Sequence, residues 1–400
     1  MTDTPEPQWV WQAKAWPDFQ HDPQALAGPL ARARLAQGKL LGKAEAVGAN
    51  GFAGTRQEVW TGEALATAEI EGEQLNVDAV RSSVARRLGI ASSFAAAVPR
   101  HVEGLLDVME EAAAKWNSPL TEERLCRWQG ALFPTGYSGL HRVETGTFRT
   151  HAEPMQIVSG PIGQETVHYE APPSAAVRAE MRSFLDWFNQ TSEATVGGPL
   201  DGLVRAGIAH LWFESIHPFE DGNGRVGRAV LDMALAQDAR LGYRLHGLSQ
   251  EFRDRQAQYY DELKRAQRGS GGANAWVLWF LEAFEASCTR TTTLIDESVA
   301  RARFWSEHKD VTLTERQRKA LNRMLEAGPG RFEGGMTLRK YASLTNTSSA
   351  SATRELADLA QKRLLVPKGA GRARRYELTI PGWEWVPPPA KTKSPAKPAA

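Results

Sequence analysis

Between His217 and Arg228 the chain reads HPFEDGNGRVGR, an imidazole, two carboxylates, two glycines around an asparagine and two arginines within twelve residues. His217 is the nearby side chain whose ordinary pKa suits it to take a proton near neutral pH. Gly222 and Gly224, flanking Asn223, let backbone N–H groups converge at the start of a following helix. Unpaired amides and the helix dipole favour an anion there. Arg225 and Arg228 are three apart, hence on one helical face, and can grip further phosphates. Asp221 is placed to hold a divalent cation beside them, since Mg²⁺ takes one or two carboxylates and completes its shell with phosphate oxygens and water. A base, a metal and a polyphosphate cradle in fixed order point to attack by a hydroxyl on a nucleotide phosphate. A loop that only turned a corner would use the glycines and none of the rest.

Such a loop must be carried by something rigid, and the flanking sequence supplies it. The apolar stretch GLVRAGIAHLWFESI leads in and RVGRAVLDMALAQ leads out, so the loop joins two apolar helices and its chemistry sits at a helix N-terminus. Upstream, MQIVSGPIGQETVHYEAPP alternates apolar and polar residues around Gly160, Pro161 and Gly163 and halts at Pro172 and Pro173. That pattern predicts a β-hairpin between helices. The Trp- and Ala-rich opening predicts a helical N-terminal region over 1–92. One helical period after Pro29 is broken by Gly38, a helix spans Gln57–Glu71, and another spans Val77–Leu88. A mostly helical core follows over 93–300. From 306 to 380 three helices are closed by two strands with a basic turn, the order of a winged helix-turn-helix. In it Ser348–Arg363 is the recognition helix, with Arg354 and Lys362 turned to phosphates and Lys368–Arg375 as the wing. The Pro/Lys/Ala-rich tail, 381–400, is expected to be disordered. The fold class is mostly α, with one hairpin flap.

The twelve residues from His217 to Arg228 resemble the Fic motif, H-x-F-x-(D/E)-G-N-G-R-x-x-R, without departure. The similarity extends to GTFRT, to the hairpin, to LSQEFRDRQAQYYDELKRAQRG after the motif, and to the Trp-rich opening. It implies a protein adenylyltransferase, which moves AMP from ATP to a Ser, Thr or Tyr hydroxyl and releases pyrophosphate. On this resemblance His217 is the base, and Asp221 holds Mg²⁺. Gly222, Asn223 and Gly224 line the anion hole, Arg225 contacts the phosphates and Arg228 holds the γ-phosphate. Phe219 packs the loop down. The hairpin, with Gln156, Ile157 and Val158, registers the target segment by strand pairing. Tyr259 and Tyr260 either lie near the adenine or pack between helices. TAEIEG, Thr67–Gly72, resembles the family's inhibitory sequence (S/T)-x-x-x-E-(G/N). This implies that Glu71, one helical turn after Thr67, pairs with Arg228, blocks the γ-phosphate and holds transfer off. In some relatives such a glutamate helps remove AMP, and both directions stay open.

With 48 Lys/Arg against 47 Asp/Glu, no overall field marks the chain for nucleic acid or membrane. The balance is uneven, however: from Met336 onward there are 12 basic and 4 acidic residues. The winged helix is therefore expected to dock DNA or a protein partner, and a DNA-binding regulator with a nucleotide-sensing core stands as the alternative function. Phosphate or phosphocholine transfer on the same scaffold ranks below these. Two distant cysteines exclude a disulfide framework and a structural zinc site. No stretch reads as a membrane span or leader, so a cytoplasmic protein is expected, with a homodimer as a candidate assembly.

Overall fold

In the computed structural model, residues 7–90, 97–159, 164, 166–192, 200–269 and 272–386 are described. They fall into two compact units, 1–293 and 294–400. The first unit holds both the N-terminal region expected over 1–92 and the core expected to follow it, and tryptophans of the opening pack onto that core. Trp9 packs edge-on against Tyr169, Trp11 donates to the Glu170 carbonyl at 2.7 Å, and Trp16 lies against Trp212. Burying large aromatic rings against other elements outweighs the local change in composition.

Helix α1, Pro23–Ile70, starts at Asp22, whose side chain accepts the Gln24 N–H at 2.8 Å. The interruption expected at Gly38 does not occur. Gly38 stays helical, and the break falls at Gly48 (φ 71°, ψ 168°), so that α1 is two helical stretches run together. Packing of the helix on its neighbours overrides the intrinsic cost of one glycine, which is only about 1 kcal/mol. The second stretch ends with Glu71 as C-cap and Gly72 in the left-handed region. Next come α2 (Val77–Arg87), α3 (Arg100–Ala114) and α4 (Glu122–Leu132). A two-residue hairpin, β1 (Tyr137–Ser138) with β2 (His141–Arg142), was not legible in the sequence.

The expected hairpin is β3 (Gln156–Ser159) with β4 (Thr166–Glu170), antiparallel, with Ile157 opposite Tyr169 and Val158 opposite Val167. Its turn, 160–163 and 165, lies outside the described residues. Helices α5 (Ser174–Gln190), α6 (Gly202–Ile216), α7 (Asn223–Ala239), α8 (Leu248–Asp254), α9 (Gln256–Ala266) and α10 (Asn274–Glu307) follow. Every residue of α6 is buried, as suits a helix with no polar face. It packs along α7, and this pair is the rigid base of the site.

Residues of the second unit form α11 (Glu315–Ala327), α12 (Leu338–Thr345) and α13 (Ser349–Gln361), then the antiparallel pair β5 (Leu365–Lys368) and β6 (Arg375–Leu378). Leu321, Tyr341, Leu356 and Leu364 lie in their core. Of the expected disordered tail, 387–400 lies outside the described residues. Among those described, no helix is long and apolar enough to cross a membrane.

Candidate active site

The loop from 217 to 222 begins with a strained residue. His217 caps α6 in the left-handed region (φ 51°), with its N–H on the Phe213 carbonyl at 3.0 Å. Arg149 holds that conformation. Its guanidinium donates to the carbonyls of His217 (2.8 Å), Ile216 (3.3 Å) and Pro172 (2.5 Å), and its own N–H donates to Pro218 O at 2.9 Å. Phe219 is fully buried against Phe148 and Phe213. Asn223 closes the turn: its Nδ2 donates to Phe219 O and its Oδ1 accepts Phe219 N–H, both at 2.8 Å. Gly222 (φ 87°) opens α7, and a Cβ there would come 2.9 Å from the Phe133 ring. Gln129 reaches the Asp221 carbonyl at 3.3 Å.

The cradle at the α7 N-terminus already holds an anion, the carboxylate of Glu71. Its Oε1 accepts from Arg228 Nη2 at 2.7 Å and stands so close to Gly224 that a Cβ there would lie 2.3 Å away. Arg228 also donates to Thr67, to Oγ1 at 2.6 Å and to the carbonyl at 3.1 Å. Burial is the largest single influence on the Arg228 guanidinium and lowers it, but the charge and hydrogen bond of Glu71, with Tyr259 and Glu214, together outweigh it and hold it above its ordinary range. The sequence motif thus becomes one contact between the end of α1 and the start of α7.

A neighbouring contact was not anticipated. Arg225 Nη1 donates to Glu73 Oε2 at 3.1 Å, and its guanidinium lies over the Phe133 ring. Glu73 also approaches His101 Nε2 at 3.5 Å. The two motif arginines therefore each take a carboxylate from one turn, Glu71–Glu73. Glu73, two residues after Glu71, could have been noticed from its spacing; Arg149 stood in GTFRT without a role. Glu71, Glu73 and Arg225 line an open cleft of about 680 Å³ with His101, Phe133 and Tyr137.

Asp221 is one-third exposed, accepts the Gly222 N–H at 2.6 Å and lies 3.9 Å from Arg225. Among the described residues no cluster of three or more His, Cys, Asp or Glu could hold a metal by itself. A lone carboxylate beside a phosphate cradle fits Mg²⁺ that draws its remaining oxygens from phosphate and water. Burial, then the Arg149 charge, push the His217 imidazole down to about 4, so it is neutral at physiological pH. Tyr259 is buried, stacked on Phe252 and bonded to His210 Nε2 at 2.9 Å, which is the helix-packing alternative. Tyr260 is 37% exposed and donates to Ile70 O at 3.2 Å, beside Glu71. In the flap, Gln156 bonds Glu170 across the hairpin and Val158 is exposed, while Ile157 packs toward Trp9 and Tyr169. Tyr169 ties the hairpin to α6 through Ser215 O at 2.6 Å.

Residues 119–235 match the model of the Fic/DOC family, and residues 9–90 match that of a domain of unknown function, DUF4172. The chain is 33% identical over 102 residues to a probable protein adenylyltransferase of Aquifex aeolicus, covering 26% of this chain and 28% of that protein. It is 33% identical over 114 residues to the protein adenylyltransferase fic-1 of Caenorhabditis elegans, covering 28% and 20%. The alignments thus span less than a third of either relative's length. Among solved structures, a Fic family protein from Desulfovibrio desulfuricans matches with a TM-score of 0.51 at 22% identity, over 91% of this chain and 98% of that one. A Fic domain containing signaling protein from Bacteroides thetaiotaomicron matches with a TM-score of 0.51 at 18% identity, over 67% and 96%. Residues 119–235 therefore match the Fic/DOC family, in a chain that takes the mostly helical fold of Fic proteins.

Proposed function

We propose that the protein transfers AMP from ATP to a Ser, Thr or Tyr hydroxyl of a target protein and that Glu71 holds this reaction off. The observation that carries the reading is the Glu71 carboxylate seated on Arg228 and over Gly224, where a nucleotide phosphate would otherwise lie. Gly222, Gly224 and the first amides of α7 receive phosphate oxygens, with Arg225 and Arg228 gripping the outer phosphates. His217 takes the proton of the target hydroxyl as its oxygen bonds to the α-phosphorus and the bond to pyrophosphate breaks. Asp221 would hold Mg²⁺, which when bound supplies charge neutralisation of the phosphates. Gln156, Ile157 and Val158 offer a strand edge to the target segment. The names of the curated relatives support the same chemistry.

The test is mass spectrometry of a lysate treated with ATP, Mg²⁺ and the Glu71→Gly protein, with His217→Ala as control. Glu71→Gly is expected to raise AMP transfer about 10- to 100-fold, the worth of the charge-assisted hydrogen bond it frees (~1.5–3 kcal/mol). Equal labelling by wild type and Glu71→Gly removes the brake; no adenylate-sized shift on any protein removes the activity. Accumulation of unmodified target from pre-labelled protein would assign AMP removal to the same site.

A second reading, DNA binding by residues 294–400 in a winged-helix arrangement, is favoured by one observation. The acids of α13 are engaged toward α11, Glu355 with Arg316 and Asp358 with Gln317. Arg339, Arg354, Lys368 and Arg374 are left exposed.

A further inference from the structure

One turn before His217, Glu214 is the only acidic residue of α6, and its side chain is 8% exposed. Its Oε1 has no hydrogen-bond partner, and neither has Nδ1 of His217. The other carboxylate oxygen, Oε2, lies 3.9 Å from Nδ1. Glu214 fits here because α7 presents a glycine: a Cβ on Gly227 would stand 2.2 Å from Oε1. Gly227, between the two motif arginines, thus has a task that the motif alone does not reveal. A buried carboxyl and a buried imidazole nitrogen, both unpaired, are costly unless they serve each other. A shift of about 1 Å brings them to hydrogen-bond distance.

We propose that Glu214 is a positioning residue for His217: its carboxylate accepts the Nδ1–H, leaving Nε2 to take the target's proton. The inference rests on the reading of His217 as the base. In the transfer step the hydroxyl proton ends on Nε2, the Nδ1–H stays on the ring, and Glu214 keeps its negative charge beside the imidazolium. A neutral imidazole serves as a base at one nitrogen only if the other holds the hydrogen, and an acceptor at Nδ1 selects that tautomer.

The surrounding charges link this pair to the brake. Glu214 is faced by Arg228 of α7, Glu71 at the end of α1 and Tyr259 of α9, and His217 by Arg149, Glu71 and Asp221. With Glu71 seated, burial raises the Glu214 carboxyl to about 8 against the pull of Arg228, and the smaller influence of the Glu71 charge adds to the rise. At neutral pH the latched protein therefore keeps a proton on Glu214. Withdrawing Glu71 removes one of the charges that keep it there, so leaving Arg228 and arming His217 are parts of one event.

Two measurements on the full chain test this. The first needs no turnover: ¹⁵N NMR titration of the His217 ring in wild type, Glu214→Gln and Glu214→Asp. The wild-type ring is expected to show a second step as Glu214 ionises near pH 8, lost in Glu214→Gln and kept in Glu214→Asp, which retains the charge one methylene further back. An identical His217 titration in Glu214→Gln overturns the pairing. The second is the pH profile of AMP transfer in the Glu71→Gly background. Transfer should rise as Glu214 loses its proton. Adding Glu214→Gln should abolish that rise and lower kcat about 10-fold or more, with KM for ATP unchanged and part of the rate recovered by Glu214→Asp. An unaltered profile and kcat overturn the proposal. If no form of the chain transfers AMP, the functional reading fails while the NMR titration still decides the pairing.

Discussion

Arg228 is the residue on which the two proposed states converge. Its guanidinium is buried, and in the structure Thr67 and Glu71 satisfy it. Removing Glu71 leaves a buried cation short of its counter-charge, so Glu71→Gly should lose about 1–3 kcal/mol of stability. On the proposed function ATP would supply the missing charge, and thermal unfolding should show a larger stabilisation by ATP in Glu71→Gly than in wild type. Equal ATP shifts would mean that the phosphates do not reach Arg228. Arg149 acts on the other side of the site, holding a left-handed His217 through the carbonyls around it and lowering its basicity by charge. Arg149→Ala leaves buried carbonyls unpaired, each costing about 1–3 kcal/mol. It also removes a positive neighbour, so the His217 imidazole should titrate above its present value of about 4, as read by NMR. A fall in stability with no such rise would confine Arg149 to a structural role.

At the scale of elements, the proposed brake is the last two turns of α1, and what matters is how firmly they are seated. Glu63, two turns before Glu71 on the same helical face, accepts the Ser249 and Gln250 N–H groups at 3.0 Å each, at the start of α8. Nearby, Arg244 pairs with Asp232 of α7. Further along, Arg253 of α8 reaches Glu69 at 2.9 Å, and Gln256 of α9 donates to the Ile70 carbonyl at 3.2 Å. The end of α1 is thus held by contacts with α7, α8 and α9. Burial raises Glu63 to about 7 despite Arg244. A carboxyl raised on folding stabilises fully below its unfolded pKa, and that contribution is lost as pH rises through the folded value. Glu63 therefore makes the fold less stable between about pH 4.5 and 7. Glu63→Gln should flatten that slope in unfolding temperature against pH; an unchanged slope would place the proton elsewhere.

For the whole molecule, the candidate site belongs to the first unit and the basic C-terminal segment to the second. If residues 294–400 bind DNA, the full chain should shift a duplex in a gel with strong salt dependence, and Arg354→Ala with Arg374→Ala should weaken that dependence by about one counterion each. A salt-independent shift, or none, would assign the basic face to a protein partner. The sequence alone determined the mostly helical class, the hairpin, the helix–loop–helix that carries the chemistry, and the residues of the loop. These follow from local rules: apolar periodicity, glycines at left-handed positions and fixed motif spacing. The order of helices and strands after 306 was equally legible. Tertiary structure alone decided the rest. It put the helix break at Gly48 rather than Gly38, joined 1–92 to the core through Trp9, Trp11 and Trp16, and buried Tyr259 while leaving Tyr260 at the surface. It also brought Glu71 to Arg228 across 157 residues, Arg149 behind His217, Glu73 to Arg225, and Glu214 opposite Gly227. Residues far apart in the chain share no period, and which charges meet depends on how whole helices pack.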